Sequence, residues 1–171
     1  MKYTYSTQVR ENDTPEKSTP YTIQKTDFSN AETREKIYQI IIQLEKENRG
    51  RNLNEEFSMQ NNIGLYQFWM ESEYMEKLYF LPEEAAYVLA KIEADTLEII
   101  QIISKKEIDV ERLAASFDET INKVQLAYTP SKKQDYEVNV HKVEDCTLFI
   151  IGDVLKRVET EKRMFPVISH A

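Results

Sequence analysis

A mixed α/β sheet with helices on both of its faces is the fold class this sequence predicts, and three observations predict it. Short segments rich in aromatic and β-branched residues follow one another between residues 65 and 151. Two stretches, 29–48 and 109–118, carry apolar residues at helical spacing behind capping side chains. Thr96–Ile103 (TLEIIQII) and Thr147–Ile151 (TLFII) are apolar on both faces, as strands in the middle of a covered sheet are.

The elements follow in order. Lys2 to Val9 alternates, with Tyr3, Tyr5 and Val9 on one face and Lys2, Thr4, Ser6 and Gln8 on the other, the pattern of a half-buried strand. Arg10 to Pro20 (RENDTPEKSTP) has two prolines and no apolar residue, and reads as a linker. Tyr21–Thr26 is a short strand. Ser29-Asn30-Ala31-Glu32 has the form of a capping box, in which the Ser29 hydroxyl accepts from the Glu32 N–H. Ile37, Ile40, Ile41 and Leu44 then mark a helix to about Asn48, closed by Gly50.

Leu65–Met70, Lys77–Leu81 and Ala86–Ile92 read as strands, and Glu93-Ala94-Asp95 as a tight connection into Thr96–Ile103. Asp109 caps a helix whose Val110, Leu113, Ala114 and Phe117 repeat every three or four residues. Ile121–Tyr128 is a strand ended by Thr129-Pro130, and Lys132–Tyr136 is one turn of helix. Glu137–Val143 and Thr147–Ile151 form the last pair of strands.

Composition narrows the function. The chain has 171 residues, enough for one domain with its own core or one domain plus a short appendage. Its 22 Lys and Arg against 30 Asp and Glu give a net charge of -8, which disfavours a nucleic-acid partner held through phosphates. Only Gly50, Gly64 and Gly152 are present, far apart, so no Gly-rich phosphate loop can be built. Cys146 is alone and cannot form an intramolecular disulfide, and the apolar runs are too short to span a membrane. A cytoplasmic location, with no membrane and no nucleic acid, is the expectation.

The order of elements resembles the GNAT acetyltransferase fold. Tyr21–Asp27 stands as first strand, the 30–48 helix follows, and Ala86–Ile92 and Thr96–Ile103 are third and fourth strands. Asp109–Asp118 is the helix that receives the CoA pyrophosphate in that family, and Val124–Tyr128 the fifth strand. The wording of LEIIQIISKKEIDVERLAASF, LAYTPSKKQDYEV, DCTLFIIGD and MFPVISHA is similar to the C-terminal lobe of bacterial GNAT-family proteins with two such lobes in tandem. On that resemblance, residues 1–20 are the last strand and linker of a preceding lobe, and residues 21–171 are the GNAT-like domain. A strand cut off from its sheet is expected to be disordered or added to the edge of a neighbouring chain, because a lone strand is not stable in water.

The resemblance implies acetyl-CoA as donor and an amine as acceptor, but the residues depart from it at the cofactor. The family pattern Q/R-x-x-G-x-G/A is replaced here by Ser104-Lys105-Lys106-Glu107-Ile108-Asp109. Lys105 and Lys106 offer positive charge to a phosphate, whereas Glu107, Asp109 and Glu111 already answer the amides and dipole of the helix start. The chain is therefore expected to bind acetyl-CoA weakly or not at all. Its partner would be a catalytic GNAT lobe or a second copy of itself, and the alternative is a non-enzymatic interaction module.

Two catalytic candidates stand out. Tyr128 lies near the end of the fifth strand, where the family often places a tyrosine acid, although core packing is the commoner use of such a residue. The apolar ending Met164–Ile168 is expected to pack on the body, and the Ala171 carboxylate is the second candidate, by resemblance to multi-lobe enzymes that handle an amine proton with a C-terminal carboxylate. His141 and His170 have no second ligand at metal-binding spacing, and Cys146 reads as a small core residue. Glu32, Glu35, Glu45 and Glu47 form a solvated helix face.

Overall fold

The computed structural model describes residues 2–9, 19–48, 53–57, 63–117, 120–141 and 156–167. In chain order these form β1 (Lys2–Gln8), β2 (Gln24–Lys25), α1 (Ala31–Asn48), α2 (Ile63–Met70), β3 (Leu78–Leu81), β4 (Ala86–Glu93), β5 (Thr96–Ile103), α3 (Val110–Ala114), β6 (Lys123–Leu126), β7 (Glu137–His141) and α4 (Arg157–Thr160). The described strands make one sheet in the order β2-β3-β4-β5-β6-β1-β7. Its pairs are antiparallel except β5–β6, which run parallel. The expected mixed α/β sheet is what the chain forms.

The sheet separates two apolar clusters. Val88, Ala90, Leu97, Ile99 and Ile102 pack on one face with Val110 and Leu113 of α3. Leu89, Ile100 and Ile103 pack on the other with Ile37 and Ile41 of α1 and Tyr66 and Met70 of α2. Helices thus cover both faces, which is why β5 has to be apolar on both. A bulge interrupts the alternation: Ala90 faces Ile99 and Leu89 faces Gln101, leaving Ile100 as the extra residue.

Three expectations are corrected. Leu65–Met70 is not a strand but most of helix α2, in which Tyr66 and Met70, four residues apart, share the buried face. Its aromatic content is strand-like, but the burial period is helical. At the start of α1, Asn30 is the cap in place of Ser29: its Oδ1 accepts from the N–H of Glu32 at 2.9 Å and of Thr33 at 3.2 Å. Ser29 donates its hydroxyl to the Asp27 carboxylate at 2.5 Å, a stronger acceptor than a helix amide is a donor.

The third correction concerns the leading strand. Lys2–Gln8 belongs to this chain's own sheet, between β6 and β7, with Tyr5 opposite Leu126 on one side and Val138 on the other. It is buried on both faces over its first half: Tyr3 and Tyr5 are covered, and so are Thr4 and Ser6. The Tyr5 hydroxyl donates to the Lys162 carbonyl at 2.6 Å and that of Tyr3 to the Glu159 carbonyl at 3.3 Å. The strand is held by two neighbours in the sheet and by the α4 region beneath it, so it needs no second chain.

Other differences are of extent. The strand expected over Tyr21–Thr26 narrows to Gln24–Lys25, the 109–118 helix to Val110–Ala114, and the Lys132–Tyr136 turn is a 3₁₀ turn at Lys133–Asp135. Helix α4 had no sequence signal. Gly50, Cys146, Thr147–Ile151 and the segment 10–18 lie outside the described residues.

Candidate functional site

The parallel pair β5–β6 has an open end among the described residues. β5 and β6 stay in register from Thr96 opposite Lys123 to Ile99 opposite Leu126, and the Ala127 N–H donates to the Ile99 carbonyl at 3.0 Å. Beyond that point β5 continues to Ile103, while the other strand has ended. In open α/β sheets a ligand crevice forms where neighbouring strands part in this way.

Here the chain's own Asn54-Glu55-Glu56 stands in that position. Glu55 bridges to Pro130, the Glu56 N–H donates to the Thr129 carbonyl at 2.9 Å, and the Ser131 N–H donates to the Asn54 carbonyl at 3.0 Å. On the β5 side, Gln101 Nε2 donates to Glu55 Oε1 at 2.5 Å. Asn54 reaches the loop after β5: its Nδ2 donates to the Ile108 carbonyl at 2.7 Å, and its Oδ1 accepts from the Ile108 N–H at 3.0 Å. All three polar side chains, Asn54, Glu55 and Gln101, are buried.

Beside this clasp lies a cleft of about 410 Å³. Glu107, Asp109, Glu111 and Asp135 line it, with Lys132 as the lining cation. Lys132 is itself paired with Glu107 at 2.6 Å. Asp109 caps α3 as its position predicts, accepting from the Arg112 N–H at 3.0 Å. Tyr128 and Tyr136 complete the wall. Burial raises the Tyr136 pKa, and Asp135, Glu111, Asp109 and Glu107 push it the same way.

The Tyr128 side chain is fully buried, and its hydroxyl has no hydrogen-bond partner among the described residues. Burial raises its pKa well above the ordinary value, with smaller contributions from Glu55 and Tyr136. A phenol in that environment stays protonated. Gln101 Oε1 is likewise buried without a hydrogen-bond partner among the described residues.

An acetyl-CoA pyrophosphate does not fit these residues. Lys105 and Lys106 do not line the cleft and are engaged elsewhere, Lys105 with Glu47 at 3.2 Å and Lys106 with Glu84 at 3.1 Å. The loop amide of Ile108 is taken by Asn54, that of Lys106 by the Ser104 hydroxyl at 3.1 Å, and that of Asp109 by the Tyr21 hydroxyl at 3.3 Å. An anion would meet filled donors and four carboxylates.

The structure thus brings Tyr128, Asp109, Glu107 and Glu111 to one cleft and leaves Lys105 and Lys106 outside it. The Ala171 carboxylate, His170 and the His141 side chain lie outside the described residues. Met164 and Pro166 of the ending are buried, and the Val167 N–H donates to the Ala127 carbonyl at 2.9 Å. Sequence reading missed Asn54, Glu55 and Gln101. Only Gln101 carried a signal, as a polar residue set inside the apolar run TLEIIQII. Among the described residues no group of three or more His, Cys, Asp or Glu is placed to hold a metal, and no described helix is long and apolar enough to cross a membrane.

No protein-family model and no curated protein matches the sequence. Among solved structures, the chain is similar to a GCN5-related N-acetyltransferase from Kribbella flavida, with TM-score 0.42 and 13% identity over 80% of this chain and 35% of that one. It is also similar to a conserved protein from Enterococcus faecalis V583, a probable N-acyltransferase, with TM-score 0.41 and 16% identity over 72% of this chain and 31% of that one. The chain spans about a third of the length of each.

Proposed function

We propose that this chain is a GNAT-type N-acetyltransferase-like lobe that carries no acetyl-CoA of its own and serves an amine-acetylating enzyme by shaping the acceptor site or supporting the catalytic lobe. The observation that carries this reading is the clasp at the open end of the parallel pair. Asn54 and Glu55 occupy the place between β5 and the 127–131 segment, and the loop beside it is closed to anions by its own carboxylates. The donor would be held by a separate lobe with an intact Gly-rich loop, in the cytoplasm.

Calorimetric titration of the chain with acetyl-CoA tests the first half of the proposal. No heat of low-micromolar binding and no acetylation of amines by the chain alone are expected. Tight binding with turnover would overturn it. The second half is tested by adding the chain to a GNAT catalytic lobe encoded beside it, where a changed acceptor KM is expected and an unchanged one refutes it.

The alternative is a non-enzymatic module that uses the same fold as a docking surface. Such docking would use exposed apolar side chains, of which Phe68 of α2, 52% exposed, and Val140 of β7, 50% exposed, are examples. A chain that self-associates, and leaves the catalytic lobe's kinetics untouched, would establish that reading.

A further inference from the structure

We infer that residues 163–167 are a strap that fills the open end of the parallel pair from within the chain, latched by Arg163 on Glu56 and able to open while the sheet stays intact. The inference is independent of acyl transfer, since it concerns what occupies the crevice and what releases it.

Position is the first ground. Val167 packs against both apolar clusters, which the sheet otherwise keeps apart, and is the one described residue that touches both. A side chain can do so only past an end or a gap in the sheet, and the end of β6 at Leu126 is beside it. The Val167 N–H donates to the Ala127 carbonyl at 2.9 Å. Ahead of it, the Met164 N–H donates to the Thr129 hydroxyl at 2.7 Å, and the Met164 carbonyl accepts from that hydroxyl at 2.9 Å. The strap thus answers polar groups that a bound extended segment would use. Any other extended apolar ligand of this crevice has to displace it.

Attachment is the second ground. β1 is held by ladders to β6 and β7, whereas among the described residues the strap makes one backbone bond to the strand beside it, at Val167. A segment with so few backbone bonds opens at lower free energy than the ladders do. Buried Met164 and Pro166 keep it seated. Its fixed end is Lys162, a non-glycine residue at φ 52°, whose carbonyl accepts from the Tyr5 hydroxyl at 2.6 Å.

The latch is polar. The Arg163 guanidinium meets Glu56 at 2.5 Å and Glu161 at 2.5 Å, and lies 5.0 Å from the centre of the Phe57 ring, which meets the Phe165 ring at 5.8 Å. Glu56 also takes Lys133 at 3.0 Å, so one carboxylate joins the strap to the clasp and to the 3₁₀ turn. Arg163 Nε is buried with no hydrogen-bond partner among the described residues. The closed latch therefore keeps one donor from water, and opening returns it.

Residue-resolved amide exchange on the full chain tests the strap. In the unmodified protein, the Met164 and Val167 amides should exchange through an opening that added urea hardly changes. The amides of β5 should wait for global unfolding and speed up steeply with urea. Glu56→Gln and Arg163→Gln should each speed the Met164 and Val167 amides about tenfold, the loss of one charge-assisted contact. The double variant should also stay near tenfold, because both single changes break the same latch. Arg163→Lys should fall in between, as it keeps the charge without the planar fork. The Ile108 amide, held by Asn54, and those of β5 should keep their rates in every variant. Strap amides with the urea dependence of β5 would overturn the inference, since the segment would then open only with the whole domain. So would variants that leave Met164 and Val167 unchanged, or that speed β5 equally. The urea comparison needs no substitution and decides the matter even where a variant fails to fold.

Discussion

Asn54 and Ile108 hold each other by two hydrogen bonds, the Asn54 amide donating to the Ile108 carbonyl and accepting from its N–H. The side chain acts as a short piece of backbone and ties the loop after β5 to the segment before α2. Asn54→Ala would leave both Ile108 groups buried and unpaired. A loss of about 2–4 kcal/mol is expected from two such groups. Urea denaturation measures it, and the Ile108 amide should exchange faster with solvent. A change under about 0.5 kcal/mol would show that the clasp is replaceable, as ordinary surface substitutions are.

Strand β1 should be protected. Its amides lie between β6 and β7, and Tyr5 is tied to Lys162. Hydrogen exchange on a preparation shown to be monomeric should reveal slow amides within residues 3–8. Fast exchange there would mean that the strand needs another chain after all. Tyr5→Phe should cost about 1 kcal/mol, the value of one hydrogen bond.

Core and edge should differ sharply. Leu97 and Ile99 are fully buried in β5, and replacing either by Ala is expected to cost about 2–5 kcal/mol. Val140→Thr, at a half-exposed position on the outermost of the described strands, should stay within about 0.5 kcal/mol. Comparable losses at the two places would contradict the sheet order.

Alkali should unfold the protein before its buried tyrosines ionise. Burial raises the pKa of Tyr5, Tyr38, Tyr74, Tyr79, Tyr87, Tyr128 and Tyr136, and at Tyr38 the bond to Glu71 at 2.9 Å adds to it. In the unfolded chain these phenols ionise near their ordinary value of about 10. A folded pKa above the unfolded one gives stability that is complete below the unfolded value and is lost as pH rises beyond it. Phenolate absorbance should therefore rise in two stages, the later one coinciding with loss of circular dichroism. A single stage, complete while the fold persists, would contradict the burial of these rings.

What the sequence determined by itself were the features set by neighbours along the chain. Thr96–Ile103 is a strand with the expected limits because an apolar run on both faces has only the middle of a sheet to occupy. Asp109 caps α3 because a short carboxylate before a helical run meets its amides locally. The want of any two glycines close together is likewise read directly from the chain.

Only the tertiary structure decided the rest, because those features depend on residues far apart. Leu65–Met70 has the composition of a strand, and became a helix because Tyr66 and Met70 bury together against α1 and the sheet. The place of Lys2–Gln8 required partners at 123–126 and 137–141, which no local pattern names. Asn54 and Glu55 sit in a polar stretch that reads as a loop, and gained their role when folding set them against Ile108 and Gln101. The Tyr128 hydroxyl shows the difference most plainly. Its position on the chain suggested an acid or a core residue, but the want of a hydrogen-bond partner among the described residues is a property of the space around it, and packing alone creates that space.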